Sequence, residues 1–442
     1  MKQDLINLGQ HAIQYAKTKG CAASICKVIT SANNEFIGEQ KNLSSINSSD
    51  QVGFGVTVHI GQKKGTASTN IVNKEKIEAT VEQAIAIAKF SKEDPFLTIT
   101  PLELAPKAQE LSFLWDEGYS SIDKSVLSSY LKESIKQLHS YPEMALDRIS
   151  LNINKSEEFY FNSNGVQQSE RQSAASWSML GMGKKGDFVT GMDWKSGFSY
   201  KKDLIQEKMH NSCESFIERI KLLLQKGASQ SYEGGLIISP RCVEDLFLGI
   251  PLGHMSGRAV MDNRSKFQDD EFGQHFHESI NVEDCPHLPE LSSATSYDLE
   301  GIPSQNRQLI KNGKINGFLY DNYSGKKLGK TTSGIAGGPF GLKMAAGNAS
   351  LESMLNSQKN ILLIERFSGN SDFTTGNISG VAKSSSFYSD GKFQGIVDET
   401  MIAANVFEMI KNVVSIENIS HLTDDSGYFP HILVDGVTVS AG

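Results

Sequence analysis

The chain has 442 residues, 39% hydrophobic and 21% charged, with 43 basic against 51 acidic side chains and a formal net charge of −8. That length and composition suggest two or three ordinary globular domains. The acidic balance, with no Lys/Arg run longer than two, argues against direct nucleic-acid binding, and the absence of a stretch of about 18 apolar residues excludes a membrane-spanning helix.

The N-terminal Met1-Lys2-Gln3-Asp4-Leu5 passes straight into an amphipathic pattern and lacks the apolar core of a secretory leader. Five cysteines, Cys21, Cys26, Cys213, Cys242 and Cys285, are odd in number and scattered. Such usage fits free thiols in a reducing compartment, so the expected location is the cytoplasm.

In chain order, Leu5, Leu8, Ala12, Ile13 and Ala16 predict a helix that stops at Gly20. A β-like run follows at 24–30. Strict alternation of Val52, Phe54, Val56, Val58 and Ile60 gives the clearest strand, and Gly61–Gly65 turns the chain into another at 66–70. Ile77, Val81, Ala84, Ile85 and Ala88 form a helical stripe that fades before Pro95. The proline-bearing stretch 94–107 reads as a linker. Beyond it come a helix around 126–138, strand-like runs at 149–153 and 158–161, a hairpin turn at Asn164-Gly165, and a long helix over about 203–226. From Gly234 onward short strands punctuated by glycine dominate. Helices are expected to start near Ser239-Pro240 and to lie around Ala403–Val414. The fold class is therefore α+β. A small N-terminal α+β domain (1–100) and a central α+β domain (101–228) precede a large, mainly antiparallel β C-terminal domain (229–442).

Several motifs have the outline of a site without its context. Gly181-Met-Gly183-Lys-Lys-Gly186 has dinucleotide-fingerprint spacing, but a strand and turn follow where a helix must open. Gly325-Lys-Lys-Leu-Gly329-Lys330-Thr331 is one residue short of a phosphate-binding loop. No Gly-x-Ser-x-Gly elbow occurs. Asp269-Asp270-Glu271 with His275, His277, Glu278, Cys285 and His287 is the densest group of metal-ligand types. Its spacing matches no zinc signature, and it reads as a solvated polar face.

A succession of segments in the C-terminal half resembles the TldD/PmbA family. In order they are Gly253-His254-Met-Ser256-Gly257-Arg258-Ala259, Ser265-Lys266-Phe267, Asp284-Cys-Pro286-His287-Leu288, Ser296-Tyr-Asp298-Leu-Glu300-Gly301, Leu309-Ile-Lys311-Asn312-Gly313, Leu328-Gly329-Lys330-Thr-Thr332-Ser-Gly334, Thr375-Gly376-Asn-Ile-Ser379-Gly380-Val-Ala382, Met401-Ile-Ala-Ala404-Asn405 and Ile432–Val439. The N-terminal Gly53-Phe-Gly55-Val and Gly65-Thr-Ala-Ser68-Thr are compatible with the family's first domain, so the likeness spans nearly the whole chain.

In that family the TldD-type subunit holds a catalytic zinc with a His-Glu-x-x-x-His motif and a later cysteine, the glutamate serving as general base. The Gly-His pair sets the register here, placing Gly249 at the first histidine, Ile250 at the glutamate and His254 at the second histidine; no cysteine follows Cys285. Pro251 within the segment is expected to break a helix. The resemblance thus implies the PmbA/TldE-type pattern: a non-catalytic subunit with no catalytic residue, metal or cofactor of its own. It implies a heterodimer with a TldD-like zinc-bearing partner, acting on unfolded or extended peptides in proteolysis and peptide maturation. His254, Ser256 and Arg258 are the expected cavity or peptide-binding residues. The alternatives are an independent metallopeptidase using His275, His277, His287 and Cys285, or a protein-binding modulator of DNA gyrase.

Overall fold

The computed structural model describes residues 2–424 and 426–441. The first helix, Lys2–Thr18, buries Leu5, Ala12 and Ala16. Strands Ala23–Glu39, Asn42–Ile60 and Lys63–Thr69 follow as an antiparallel meander. The alternation that marks Val52–Ile60 is explained by burial of Phe54, Val56 and Val58 on one face. Helix Lys74–Phe90 opens at Asn73, whose side chain accepts the Lys76 N–H, and packs tightly on this sheet. At the contact a Cβ on Gly65 would sit 2.0 Å from the Ala84 carbonyl oxygen, so only glycine allows the approach.

Strand Ala23–Glu39 pairs with Asn42–Ile60 on one edge and with Met144–Asn162 on the other. Residues from the first two expected domains therefore share one seven-stranded sheet. The Asn164-Gly165 turn joins Met144–Asn162 to Gln167–Lys185 as the sequence predicts. The Asn162 carboxamide oxygen accepts the N–H groups of Asn164 and Val166, and Gly165 takes φ 92°. Helices Lys124–Leu138 and Ile205–Leu223 cover one end of the sheet, and the two N-terminal helices cover the other. Ile149, Leu151, Ile153, Phe159 and Phe161 share the parity that faces these helices. Tyr160, of opposite parity, packs instead with Tyr297 and Ile302 of the C-terminal part. The sheet thus carries helices on one face and the C-terminal body on the other.

That body contains a nine-stranded and a six-stranded sheet around one large core. Pairing is mostly antiparallel. Parallel ladders join Tyr232–Ile238 to Asn360–Ile364 and Leu342–Met344 to Gly427–Phe429. The glycine run at 181–186 is the end of a strand turning into Phe188–Val189. The Gly325–Thr331 segment ends a helix, Asn322–Leu328, at a left-handed Gly329. Neither opens a helix toward a phosphate.

The helix expected over 403–414 requires correction, because only Val406–Met409 is helical. Ala403 and Ala404 lie in strand Thr400–Asn405, which pairs with Asn377–Lys383 and Ile432–Ser440, and Val413–Ile416 is a strand on Ile432–Ser440. Ladders to distant strands override the local helical preference of alanine. Among the described residues no helix is long and apolar enough to cross a membrane.

Candidate functional site

The segment that the resemblance places at the zinc-motif position is helical. Pro240–Cys242 enters the first turn behind Ser239, Val243–Leu248 is a wide π turn, and Gly249–His254 completes the helix. Val243, Leu246, Phe247, Leu248 and Leu252 bury it in the C-terminal core. Pro251 does not break it, contrary to expectation. It follows directly on the π turn, where the hydrogen-bond register has already shifted and the missing N–H is tolerated. Gly253 is required by packing, since a Cβ there would meet the Phe373 ring at 2.7 Å.

His254 is fully buried. Its ring stacks on Phe373 at 4.2 Å and 6° and meets Phe407 edge-on at 5.0 Å. Nε2 lies 2.6 Å from the Phe373 carbonyl oxygen, and Nδ1 accepts the Lys266 N–H at 2.9 Å. A carbonyl can only accept, so the proton sits on Nε2 and the one lone pair is engaged by Lys266. Burial lowers the pKa of this imidazole, which keeps it neutral. The Ser265 hydroxyl donates to the His254 carbonyl at 2.6 Å, so Ser265-Lys266-Phe267 clasps the histidine from both sides. A cavity of about 410 Å³ opens nearby, lined by Lys266, Phe267, His275, Thr375, Phe407 and Lys411. His254 backs its wall through Phe267 and Phe407.

Ser256 caps the short helix Gly257–Met261, its hydroxyl oxygen accepting the Arg258 N–H. Arg258 is half exposed. Its Nε and Nη2 donate to Asp321 Oδ2 at 3.0 and 2.9 Å, and its guanidinium lies 4.5 Å from the Tyr323 ring centroid. Of the three residues singled out from the sequence, Arg258 alone presents a charged group to solvent.

The acidic and histidine-rich stretch does not assemble. His275 stacks on Phe267 and bonds the Asp270 carbonyl, His277 bonds Ser279, and His287 bonds Ser304. Burial pushes the Cys285 thiol up to about 11, so it stays protonated at neutral pH. Glu271 is held by Lys330 and Tyr320. The two-apart spacing of His275 and His277 carries no strand geometry, because residues 275–277 lie outside any strand. Among the described residues the metal-ligand types that do converge are Glu417, His421 and His431. Sequence reasoning missed them; the only signal was a carboxylate and two imidazoles within fifteen residues of the C-terminal strands.

The residues at the motif position do not fit a zinc ion. Gly249 and Ile250 offer no donor, and both nitrogens of His254 are engaged. Fold and site together define an α+β protein whose C-terminal two-sheet body packs a helix that ends in a buried, non-ligating imidazole. Residues 231–441 match a family model described as the PmbA/TldA metallopeptidase C-terminal domain, and residues 30–88 match PmbA/TldA metallopeptidase domain 1. The chain belongs to the TldD/PmbA family. It is similar to the metalloprotease PmbA homolog of Haemophilus influenzae, at 26% identity over 95% of this chain and 93% of the relative. The structure of TldE from Thermococcus kodakarensis superposes with a TM-score of 0.85 at 19% identity, covering 98% of this chain and all 100% of the other. A Bacteroides thetaiotaomicron protein proposed as a modulator of DNA gyrase superposes at 0.86 with 20% identity, covering 99% and 98%.

Proposed function

We propose that this chain is the PmbA/TldE-type, non-catalytic subunit of a TldD/TldE-type metallopeptidase. It pairs with a TldD-like chain that carries zinc, and unfolded or extended peptides are hydrolysed at the partner's metal. The observation that carries this reading is the state of the motif segment: Gly249 and Ile250 in place of donors, and a His254 with no free nitrogen. Nothing at position 250 can take a proton from water, so general-base hydrolysis has no agent there.

The strand Arg366–Ser371 forms one edge of the nine-stranded sheet, and its residues 368–371 are exposed. An extended peptide binds such an edge through its backbone, which tolerates many sequences. All five cysteines are free, in keeping with a cytoplasmic setting. The net charge of −8 supports protein and peptide partners over direct contact with nucleic acid.

The test is reconstitution. The purified chain alone is expected to leave unstructured peptides intact, and adding a TldD-like chain from the same organism is expected to give chelator-sensitive cleavage with co-elution of the two chains. Strong chelator-sensitive proteolysis by this chain alone would falsify the proposal.

A further inference from the structure

Away from the motif helix, three side chains meet where the chain crosses between the two C-terminal sheets. Glu417 follows strand Val413–Ile416 of the nine-stranded sheet, and His421 opens strand His421–Thr423 of the six-stranded sheet. His431 lies between Gly427–Phe429 and Ile432–Ser440, on the return crossing. Glu417 Oε2 is 2.8 Å from His421 Nε2 and 2.7 Å from His431 Nδ1. The candidate ligand atoms of all three lie within 4.8 Å of one another. The imidazole rings stand 5.5 Å apart at 82°, so they turn two nitrogens onto one carboxylate instead of stacking.

The backbone under this cluster is pinned on both sides. The Glu417 N–H donates to the His431 carbonyl at 3.0 Å, and the Gly347 N–H donates to the Glu417 carbonyl at 2.6 Å. The Glu417 and His431 side chains are only 6% and 12% exposed, whereas His421 is 40% exposed and opens onto a cavity of about 250 Å³. Among the described residues, the other carboxylates that line that cavity already have strong bases as partners: Glu365 has Arg219, and Asp424 has Lys195. Among the described residues, the ion-pair partners of Glu417 are the two histidines alone. The buried carboxylate oxygen thus has two nitrogen donors beside it and, among the described residues, no Lys or Arg partner.

We propose that Glu417, His421 and His431 form a binding site for a divalent transition-metal cation of the zinc class. Two imidazoles and a carboxylate are the donor set such ions take, with remaining positions open to solvent in the cavity. On loading, each imidazole turns the lone pair of the nitrogen facing Glu417 to the cation and carries one proton on its other ring nitrogen, any further proton passing to solvent. Among the described residues no unpaired carboxylate lines the cavity as a general base, so the cation clamps the two sheets together and does not hydrolyse peptides. The site departs from the sequence-based expectation of a metal-free chain and does not depend on the subunit role proposed above.

The test uses the full chain, stripped with chelator, dialysed and titrated with zinc chloride by calorimetry, with bound metal counted by mass spectrometry. One equivalent is expected, with binding weakened tenfold or more by His421→Ala, by His431→Ala and by Glu417→Gln. The glutamine retains an oxygen to accept from the histidines, so that variant keeps the fold while losing the charge; its thermal midpoint without metal checks this. His275→Ala and His277→Ala are expected to bind as the parent does. Failure of the parent chain to hold zinc, or equal affinity in the three site variants, would overturn the proposal. The titration is blind to peptide hydrolysis, so its failure leaves the subunit reading untouched.

Discussion

The Nε2 atom of His254 points at the carbonyl oxygen of Phe373 from 2.6 Å, while the ring lies flat on that residue's phenyl group. One residue thus occupies both the polar edge and the face of the imidazole, and Lys266 takes the remaining nitrogen. His254 is thus a packing and hydrogen-bonding element.

It follows that His254→Ala acts on stability. The substitution leaves the Phe373 carbonyl and the Lys266 N–H unpaired and opens a cavity between aromatic rings, for a loss on the order of 3 kcal/mol. Burial depresses the pKa of this imidazole below its ordinary value. Its contribution is therefore complete above the unfolded value near 6.5 and is lost as the pH falls below that toward the folded one. Urea denaturation of parent and variant at pH 8 and pH 5 measures this, and the gap between them should narrow at the lower pH.

Restoring the motif letters should not restore the metal. Gly249→His with Ile250→Glu puts a Cβ 3.1 Å from the Glu244 carbonyl at position 249 and a carboxylate where Ile250 packs on the core. His254 keeps both of its hydrogen bonds. Made in a His421→Ala background, so that the Glu417 cluster does not contribute, the double variant is expected to retain no stoichiometric zinc after dialysis and to lose about 2 kcal/mol of stability. Metal analysis and thermal unfolding decide it, and one tightly held equivalent of zinc at pH 7 would refute the account of this segment.

Much of this architecture is local and was therefore legible. The Asn164-Gly165 hairpin, the alternation over Val52–Ile60 and the helical stripe from Ile77 to Ala88 are each decided by neighbours in sequence. The segments that carry the family resemblance also have structural work. Asp298 accepts the N–H groups of Glu300, Ile302 and Ala336, and Asn405 caps the helix after its strand. What escaped is what depends on distant strands. No local pattern announces that Ala23–Glu39 pairs with Met144–Asn162, fusing the two N-terminal units through one sheet. The same holds for Glu417, His421 and His431, which meet only because two sheets exchange strands at that point.

Glu300 gives the clearest dependence on pH. Its backbone carbonyl accepts the Thr100 hydroxyl at 2.6 Å, and its carboxylate accepts the Asn322 N–H, where the segment entering the central unit meets the C-terminal body. Burial is the main cause that raises its pKa to about 7. A raised carboxylate favours the folded state fully below about 4.5, and that contribution disappears as the pH rises through 7. Glu300→Gln keeps an acceptor oxygen without the charge. It should be more stable than the parent at pH 8, by up to roughly 3 kcal/mol, and equal to it near pH 4. A parent chain at least as stable as the variant at pH 8 would remove the argument.

Arg258 separates the structural from the functional reading of the motif loop. Its ion pair with Asp321 is half exposed, so Arg258→Ala should change unfolding free energy by less than about 1 kcal/mol. Asp321 also caps the helix Asn322–Leu328 through Ser324, and that cap survives the substitution. If Arg258 contacts peptide or partner, as its position beside the motif helix suggests, the variant should lower cleavage by the reconstituted pair at least fivefold with the fold intact. Arg258→Lys retains the positive charge but loses the two-nitrogen contact to Asp321 and the planar face over Tyr323, so it should recover only part of the activity. Unchanged cleavage by Arg258→Ala in that assay would confine the residue to capping and packing around Asp321.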